Sequence, residues 1–122
     1  RDPNPSNIMF ENGEVTGFID FIISERNVRI FDPCYCATGI LSEAGSIDGG
    51  FKKWPEILKG IITGYKHTIK LTEAEIQAIP YIIYSIHLIF IAWLDRRDEF
   101  KDIALQNREM LAWLWNNSSL WS

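Results

Sequence analysis

The hydrophobic pattern changes period once along the chain. Near the start, apolar residues come in short runs: Ile8-Met9-Phe10, then Val15, Gly17, Ile19 and Phe21 alternating with Thr16, Phe18 and Asp20. Alternation sends successive side chains to opposite faces, as a strand requires. Asn12-Gly13 lies between the two runs and is the dipeptide that best accepts the paired positive φ angles of a type I′ turn. Residues 8–21 are therefore predicted to form a β-hairpin that carries an acid, Asp20, at its far end. Residues 22–31 read as a connector, with a turn at Ser24, Glu25, Arg26 and Asn27 and a short extended piece from Val28 to Phe31.

From residue 32 the spacing becomes helical. Asp32-Pro33 reads as an N-cap followed by proline at the first helical position, where a missing N–H costs nothing. That helix is expected to stop near Gly45, before a loop over 45–50. The next has Pro55 in its first turn and Trp54, Ile57, Leu58, Ile61, Ile62, Tyr65 and Ile69 at helical intervals. Thr72-Glu73-Ala74-Glu75 is a capping box. Pro80 is expected to divide the segment after this cap into a short helix to Ala78 and a longer one that starts near the proline. In the longer helix Ile82, Ile83, Ile86, Phe90 and Trp93 form one stripe while Tyr84, Leu88 and Ile91 cover other faces, so it reads as buried nearly all round. Asp95 to Glu99 reads as a solvated junction. A last helix is expected to bury Phe100, Ile103, Ala104, Leu111, Leu114 and Trp115, with a frayed tail over 116–122. The fold class is α+β and mostly helical, with a hairpin segment over 1–31 and a helical subdomain over 32–116.

Composition narrows the function. A chain of 122 residues that is 47% hydrophobic can bury one core, and a formal net charge of −4 argues against a nucleic-acid footprint. The most apolar stretch, Ile79 to Leu94, contains Pro80, Ser85 and His87 and is shorter than the roughly 20 residues of a membrane span. A buried helix and no membrane partner are the expectation. Cys34 and Cys36 do not make a four-ligand zinc site and read as free thiols, which fits a reducing, cytoplasmic setting.

The candidate chemistry lies in the first 33 residues. Asp2 and Asn7 stand five apart, with Pro3 and Pro5 stiffening the loop between them, and a strand then leads to Asp20. Two acids and an amide on a stiff loop and a strand end suit phosphoryl transfer. One aspartate can orient a hydroxyl and take its proton, and an asparagine with a second aspartate can hold Mg²⁺. Taken singly, each is an ordinary turn or cap residue. Asp32 is better read as a cap than a ligand. His87 reads as a core or cleft histidine satisfied by one neighbour, and Trp113, Trp115 and Trp121 as packing residues.

Arg1-Asp2-Pro3-Asn4-Pro5-Ser6-Asn7 resembles the catalytic loop of kinase-fold enzymes, and Val15-Thr16-Gly17-Phe18-Ile19-Asp20-Phe21 resembles the strand and metal-binding aspartate that come after it. Pro5, the hairpin at Asn12-Gly13, Ile19-Asp20-Phe21 and Asp32-Pro33 are similar to the aminoglycoside phosphotransferase and choline kinase-like branch. So, more loosely, is the stretch from Gly64-Tyr65 through Leu71-Thr72-Glu73 to Pro80. The resemblance implies the C-terminal lobe of a protein-kinase-like fold, with Asp2 as catalytic base and Asn7 and Asp20 as Mg²⁺ ligands. It implies ATP as co-substrate, gripped mainly by an N-terminal lobe that these residues do not include, and a small-molecule hydroxyl as acceptor. Glu43, Asp48 or Asp98 would meet a cationic acceptor. Cys36 stands where relatives often carry a second aspartate. The chain opens on Arg1 without a methionine and is expected to be a piece of a longer protein, inactive alone, with an apolar face open to self-association. Two alternatives are a catalytically silent kinase-like scaffold that binds nucleotide or a protein, and a helical interaction domain with no nucleotide.

Overall fold

Asn12 and Gly13 adopt φ of 52° and 81°, the paired left-handed geometry of a type I′ turn. They join strand β1 (Ile8–Glu11) to antiparallel strand β2 (Glu14–Phe18). This is a computed structural model, and it describes residues 3, 5–20, 26–44 and 50–122. Ile8 pairs with Phe18, Met9 with Gly17 and Phe10 with Val15, so Thr16 is an extra residue on β2 opposite the step from Met9 to Phe10. Such a bulge bends and twists the ribbon, and the Thr16 hydroxyl donates to the Met9 carbonyl at 3.4 Å. Met9, Phe10, Val15, Phe18 and Ile19 are all exposed.

The chain enters the helical part through a turn rather than the extended piece expected over Val28 to Phe31: the Phe31 N–H donates to the Val28 carbonyl at 3.0 Å. Helix α1 then spans Phe31–Ala44, with the Ile30 carbonyl accepting from the Cys34 N–H. Asp32 and Pro33 are thus the second and third helical residues, two positions later than cap and first position. First-turn N–H groups have no intrahelical partner, so proline fits anywhere in that turn and does not by itself fix the register. Asp32 still lies where the helix dipole favours an acid.

Helix α2 (Trp54–Thr68) starts with Pro55 in its first turn, as expected. Helix α3 spans Glu73–Leu94 without a break, which corrects the division expected at Pro80. The proline removes one ladder bond, to the Ile76 carbonyl. Two features hold the helix through that gap. Its N-terminus has the complete Thr72–Glu75 capping box, and Ile79, Ile83 and Ile86 are buried on either side of the proline's turn. At 22 residues, α3 is long and apolar enough by length and composition to cross a membrane.

Burial of α3 is one-sided, which corrects the expectation of a helix buried all round. Ile79, Ile83, Ile86, His87 and Leu94 face inward, while Tyr81 is 72% exposed and Leu88 and Ile89 are exposed as well. The helix packs on α1 and on helix α4 (Lys101–Asn116), and these cover one side of it. Along α4 the buried residues are Ala104, Asn107, Met110 and Leu114, at steps of three and four. Ile103 and Trp115, expected inside, are exposed. The apolar residues of α4 spread over more than one face, and packing against α3, with a smaller contact to α1, buries the face that includes Met110.

The core gathers around Ile30, Cys34, Leu41, Trp54, Ile83, Met110 and Leu114. The Trp54 indole N–H donates to the Ala37 carbonyl at 2.7 Å, so this buried ring has its polar atom satisfied. The tail is not frayed. It makes a short turn over Ser118–Leu120 and returns Trp121 to the core, where its ring meets Trp54 and Tyr84 edge-on at 5.5 and 5.4 Å. The Trp121 indole N–H donates to the Leu114 carbonyl at 3.1 Å. Replacing Trp121 with alanine removes two edge-to-face contacts and this hydrogen bond, and is expected to cost about 3 kcal/mol. A urea denaturation midpoint compared with wild type reads this directly; no change would mean the tail contributes nothing.

Candidate functional site

Pro5, Ser6 and Asn7 form a single 3₁₀ turn that leads straight into β1. The Ile19 N–H donates to the Asn7 carbonyl at 3.0 Å, so hairpin pairing runs one step beyond Ile8 and Phe18. This bond puts Asn7 and Asp20 on neighbouring strand ends at the hairpin base. Asn7 is half-buried and Asp20 exposed. Asp20 has φ of 62°, a left-handed conformation that residues other than glycine rarely adopt. Aspartate tolerates it better than most residues, yet the geometry alone would favour glycine. Strain of this kind tends to collect at functional positions. Of the three residues singled out for phosphoryl transfer, Asn7 and Asp20 lie at this end of the hairpin. Asp2 lies outside the described residues, as does Asn4.

The 3₁₀ turn is seated on α1. A Cβ added at Gly39 would come 3.0 Å from the Pro5 ring, so glycine permits a close approach of loop to helix that a larger residue would push apart. Gly39 also lines a cleft between α1, α3 and α4 with a volume of about 280 Å³. Tyr35, Phe90 and Trp93 supply aromatic wall, and His87 and Asn107 supply polar groups.

His87 is buried, at 2% exposure, as expected, and the Asn107 side chain is its one polar neighbour, although neither ring nitrogen reaches full hydrogen-bond geometry with a described residue. Burial drives its pKa down from 6.5 to about 4, with hydrogen bonding to the Asn107 side chain pulling the other way. Asn107 itself donates to the Ile103 carbonyl, one turn back on its own helix. The imidazole is therefore neutral at physiological pH. A histidine within an apolar stretch was visible in the sequence; Asn107 opposite it was not, because a polar residue on an amphipathic helix reads as solvent-facing.

The remaining candidates sort plainly. Burial pushes the Cys34 thiol up to about 12 and Cys36 in the same direction, so both are protonated and poor ligands. Of the acids named for a cationic acceptor, Glu43 lines the cleft, Asp98 pairs with Lys101 at 2.6 Å, and Asp48 lies outside the described residues. The junction Asp95 to Glu99 is more organised than a solvated turn. Arg108 pairs with Asp95, and the Arg97 guanidinium sits 4.2 Å from the centre of the Trp93 ring, which stacks on Phe100. Among the described residues no three His, Cys, Asp or Glu side chains gather as a metal cluster.

Comparison with curated proteins finds a distant similarity to a homoserine kinase from Phenylobacterium zucineum (strain HLK1), 29% identical over 86 residues. The match covers 70% of this chain, which spans about a quarter (25%) of that relative's length. No family model and no solved structure matches the chain.

The strain at Asp20 and the burial of His87 can each be read in stability. Asp20→Gly relieves the left-handed strain and is expected to raise stability by up to about 1 kcal/mol, read as a higher urea midpoint; a drop would mean the carboxylate is a structural cap. For His87, the unfolded chain binds a proton below about 6.5 and the folded one only below about 4. Stability should therefore fall as pH drops through that window, by about 3 kcal/mol in all, and level off below it. Urea midpoints across the window should show this slope in wild type and lose it in His87→Leu.

Proposed function

We propose that this chain is the C-terminal lobe of a phosphotransferase of the aminoglycoside phosphotransferase and choline kinase-like build, which moves the γ-phosphoryl group of ATP to a hydroxyl of a small molecule. The observation that supports this reading is the Ile19–Asn7 backbone hydrogen bond, which sets Asn7 across from the residue before the strained Asp20. The distant similarity to a homoserine kinase supports the same class of chemistry. In this reading Asp2 orients the acceptor hydroxyl and takes its proton.

The residues at the hairpin base fit Mg²⁺. Asn7 and Asp20 offer an amide and a carboxylate oxygen, and this ion takes one or two protein oxygens beside phosphate and water. Bound there, it would neutralise phosphate charge as the bond to the leaving group loosens. Asn7 and Asp20 themselves do the positioning. The 3₁₀ turn fixes the first, the hairpin pairing fixes the second relative to it, and the seat of Pro5 on Gly39 ties both to the helices.

The five exposed apolar side chains of the hairpin (Met9, Phe10, Val15, Phe18 and Ile19) support a second, nucleotide-gripping lobe packing over them. Without that lobe the same surface would pair copies of the chain. The acceptor in this reading is a small hydroxyl compound; homoserine is the substrate named for the relative and is the first to try. Cys36, standing where relatives often carry an aspartate, favours a second reading: a silent scaffold that binds nucleotide without turnover.

The test uses this chain joined to whatever precedes it in its own gene, assayed with ATP, Mg²⁺ and a panel of hydroxyl acceptors that includes homoserine. Turnover is expected, and Asp20→Ala should reduce it by about a thousandfold with the circular dichroism spectrum unchanged. Turnover within a few-fold of wild type in that variant would sink the assignment. Mg²⁺-dependent nucleotide binding with no turnover on any acceptor would favour the scaffold.

A further inference from the structure

The outward face of α3 has a composition that a solvent-facing helix does not ordinarily carry. From Ile76 to Leu94 there is no Asp, Glu, Lys or Arg. Helices α2 and α4 put charge outside: Glu56, Lys59 and Lys66 are exposed on the first, and Lys101, Asp102, Arg108 and Glu109 on the second. On α3 the exposed Tyr81, Ser85, Leu88 and Ala92 follow one another at steps of four, three and four and form a stripe, with the exposed Ile89 alongside. Tyr81 and Trp115, the latter across on α4, leave 72% and 70% of their surface in water. Leu88 also lines a groove between α3 and α4, with Tyr84, Leu111, Ala112 and Trp115 as its apolar wall. A continuous apolar surface of this kind marks a place that another body covers.

We propose that this face pairs two copies of the chain, α3 against α3, antiparallel about a two-fold axis. Charge sets the direction. Glu73 and Glu75 lie in the first turn of α3, and Arg96 and Arg97 follow its last residue. An antiparallel pair brings each acidic end to the basic end of the other copy, whereas a parallel pair would set acid against acid. Shape sets the register. With the axis at the level of Ile86 and His87, Tyr81 lies opposite Ala92 of the other copy and Leu88 opposite Ser85. Each large side chain then meets a small one, and the same contacts repeat on both sides of the axis. This register also puts Arg96 opposite Gln77, one helical turn of about 5 Å from Glu73 and within a side chain's reach of it. Neither Glu73 nor Arg96 has an ion-pair partner among the described residues. The stripe runs along a helix about 33 Å long, and with the flanking face of α4 it offers roughly 600 Å² per copy. Stable complexes bury about 800 Å² per partner, so the area fits a reversible dimer that dissociates in the micromolar range. None of these residues belongs to the hairpin, and the assignment does not depend on the phosphotransferase reading.

The experiment is sedimentation equilibrium of the protein as its gene encodes it, over a concentration range that brackets the micromolar. A monomer–dimer equilibrium is expected. Leu88→Arg sets a charge on the stripe and should weaken the dimer at least about thirtyfold. Glu73→Arg and Arg96→Glu change exposed side chains at the two ends of the stripe. Each alone should weaken the dimer about threefold or more, and the two together should restore it to within about twofold of wild type. A folding defect cannot produce that rescue, so the charge cycle decides the matter if Leu88→Arg fails to fold. A monomer at every concentration would overturn the proposal and mean that another part of the same protein covers the stripe. A dimer that Leu88→Arg leaves unchanged, or a charge cycle without rescue, would overturn it too. So would binding to phosphatidylcholine vesicles that Leu88→Arg abolishes while no dimer forms, which would make the face a lipid contact.

Discussion

Helix α1 is the element against which the others are placed. Cys34, Ala37, Thr38 and Leu41 are buried along it, and three of these are small enough to let neighbouring helices come close. Helix α2 is pinned to it by the hydrogen bond from the Trp54 indole to the Ala37 carbonyl, made in the dry interior, where such a bond is costly to break. Helices α3 and α4 pack on other parts of its surface, and the turn before β1 rests on it at Gly39. Disturbing α1 would therefore shift the hairpin base and the cleft together, because Gly39 borders both.

A second tie closes the structure from outside. Arg29, just before α1, makes two bonds to the Glu75 carboxylate at 2.9 and 2.7 Å, and its carbonyl accepts from the Tyr65 hydroxyl at 2.7 Å. Glu75 also completes the capping box with Thr72, and these bonds, the Thr72 backbone first, hold its carboxyl below the usual range. Arg29 and the half-buried Glu75 together thus join the entry to α1, the end of α2 and the start of α3. Exposed ion pairs usually contribute little singly, but this one is bidentate and belongs to a network, the circumstance in which geometry matters.

How much of this could be read from the chain varies with the range of the interaction. Most local signals carried through: Asn12-Gly13 made its turn, Thr72 to Glu75 made its cap, and Pro55 opened its helix, while Asp32-Pro33 marked the first turn of α1 but not its cap. What failed depended on neighbours distant in sequence. Pro80 looked like a break because the packing of Ile79, Ile83 and Ile86 that holds α3 together is a property of the assembled helices. The buried face of α4 could not be chosen from a sequence with apolar residues on more than one side. The tail looked frayed because Trp121 finds Trp54 across a long sequence gap. At the candidate site, the spacing of Asn7 and Asp20 was legible, but the left-handed backbone of Asp20 was not, since nothing in Ile19-Asp20-Phe21 announces it. The cleft was invisible for the same reason as the core: it is made by three helices at once.

Pro80 also governs how α3 moves. With no N–H at that position, the Ile76 carbonyl loses its ladder partner, and Ile76 is exposed enough for water to replace it. The helix is one rod in shape, with a gap in its ladder between the capped first turns and the rest. Its first turns belong with Arg29 and the end of α2, and its later turns carry His87, Phe90 and Trp93. Opening of the first segment does not have to propagate through a continuous ladder to reach the second. The walls of the cleft can keep their shape while the capped end of the same helix breathes.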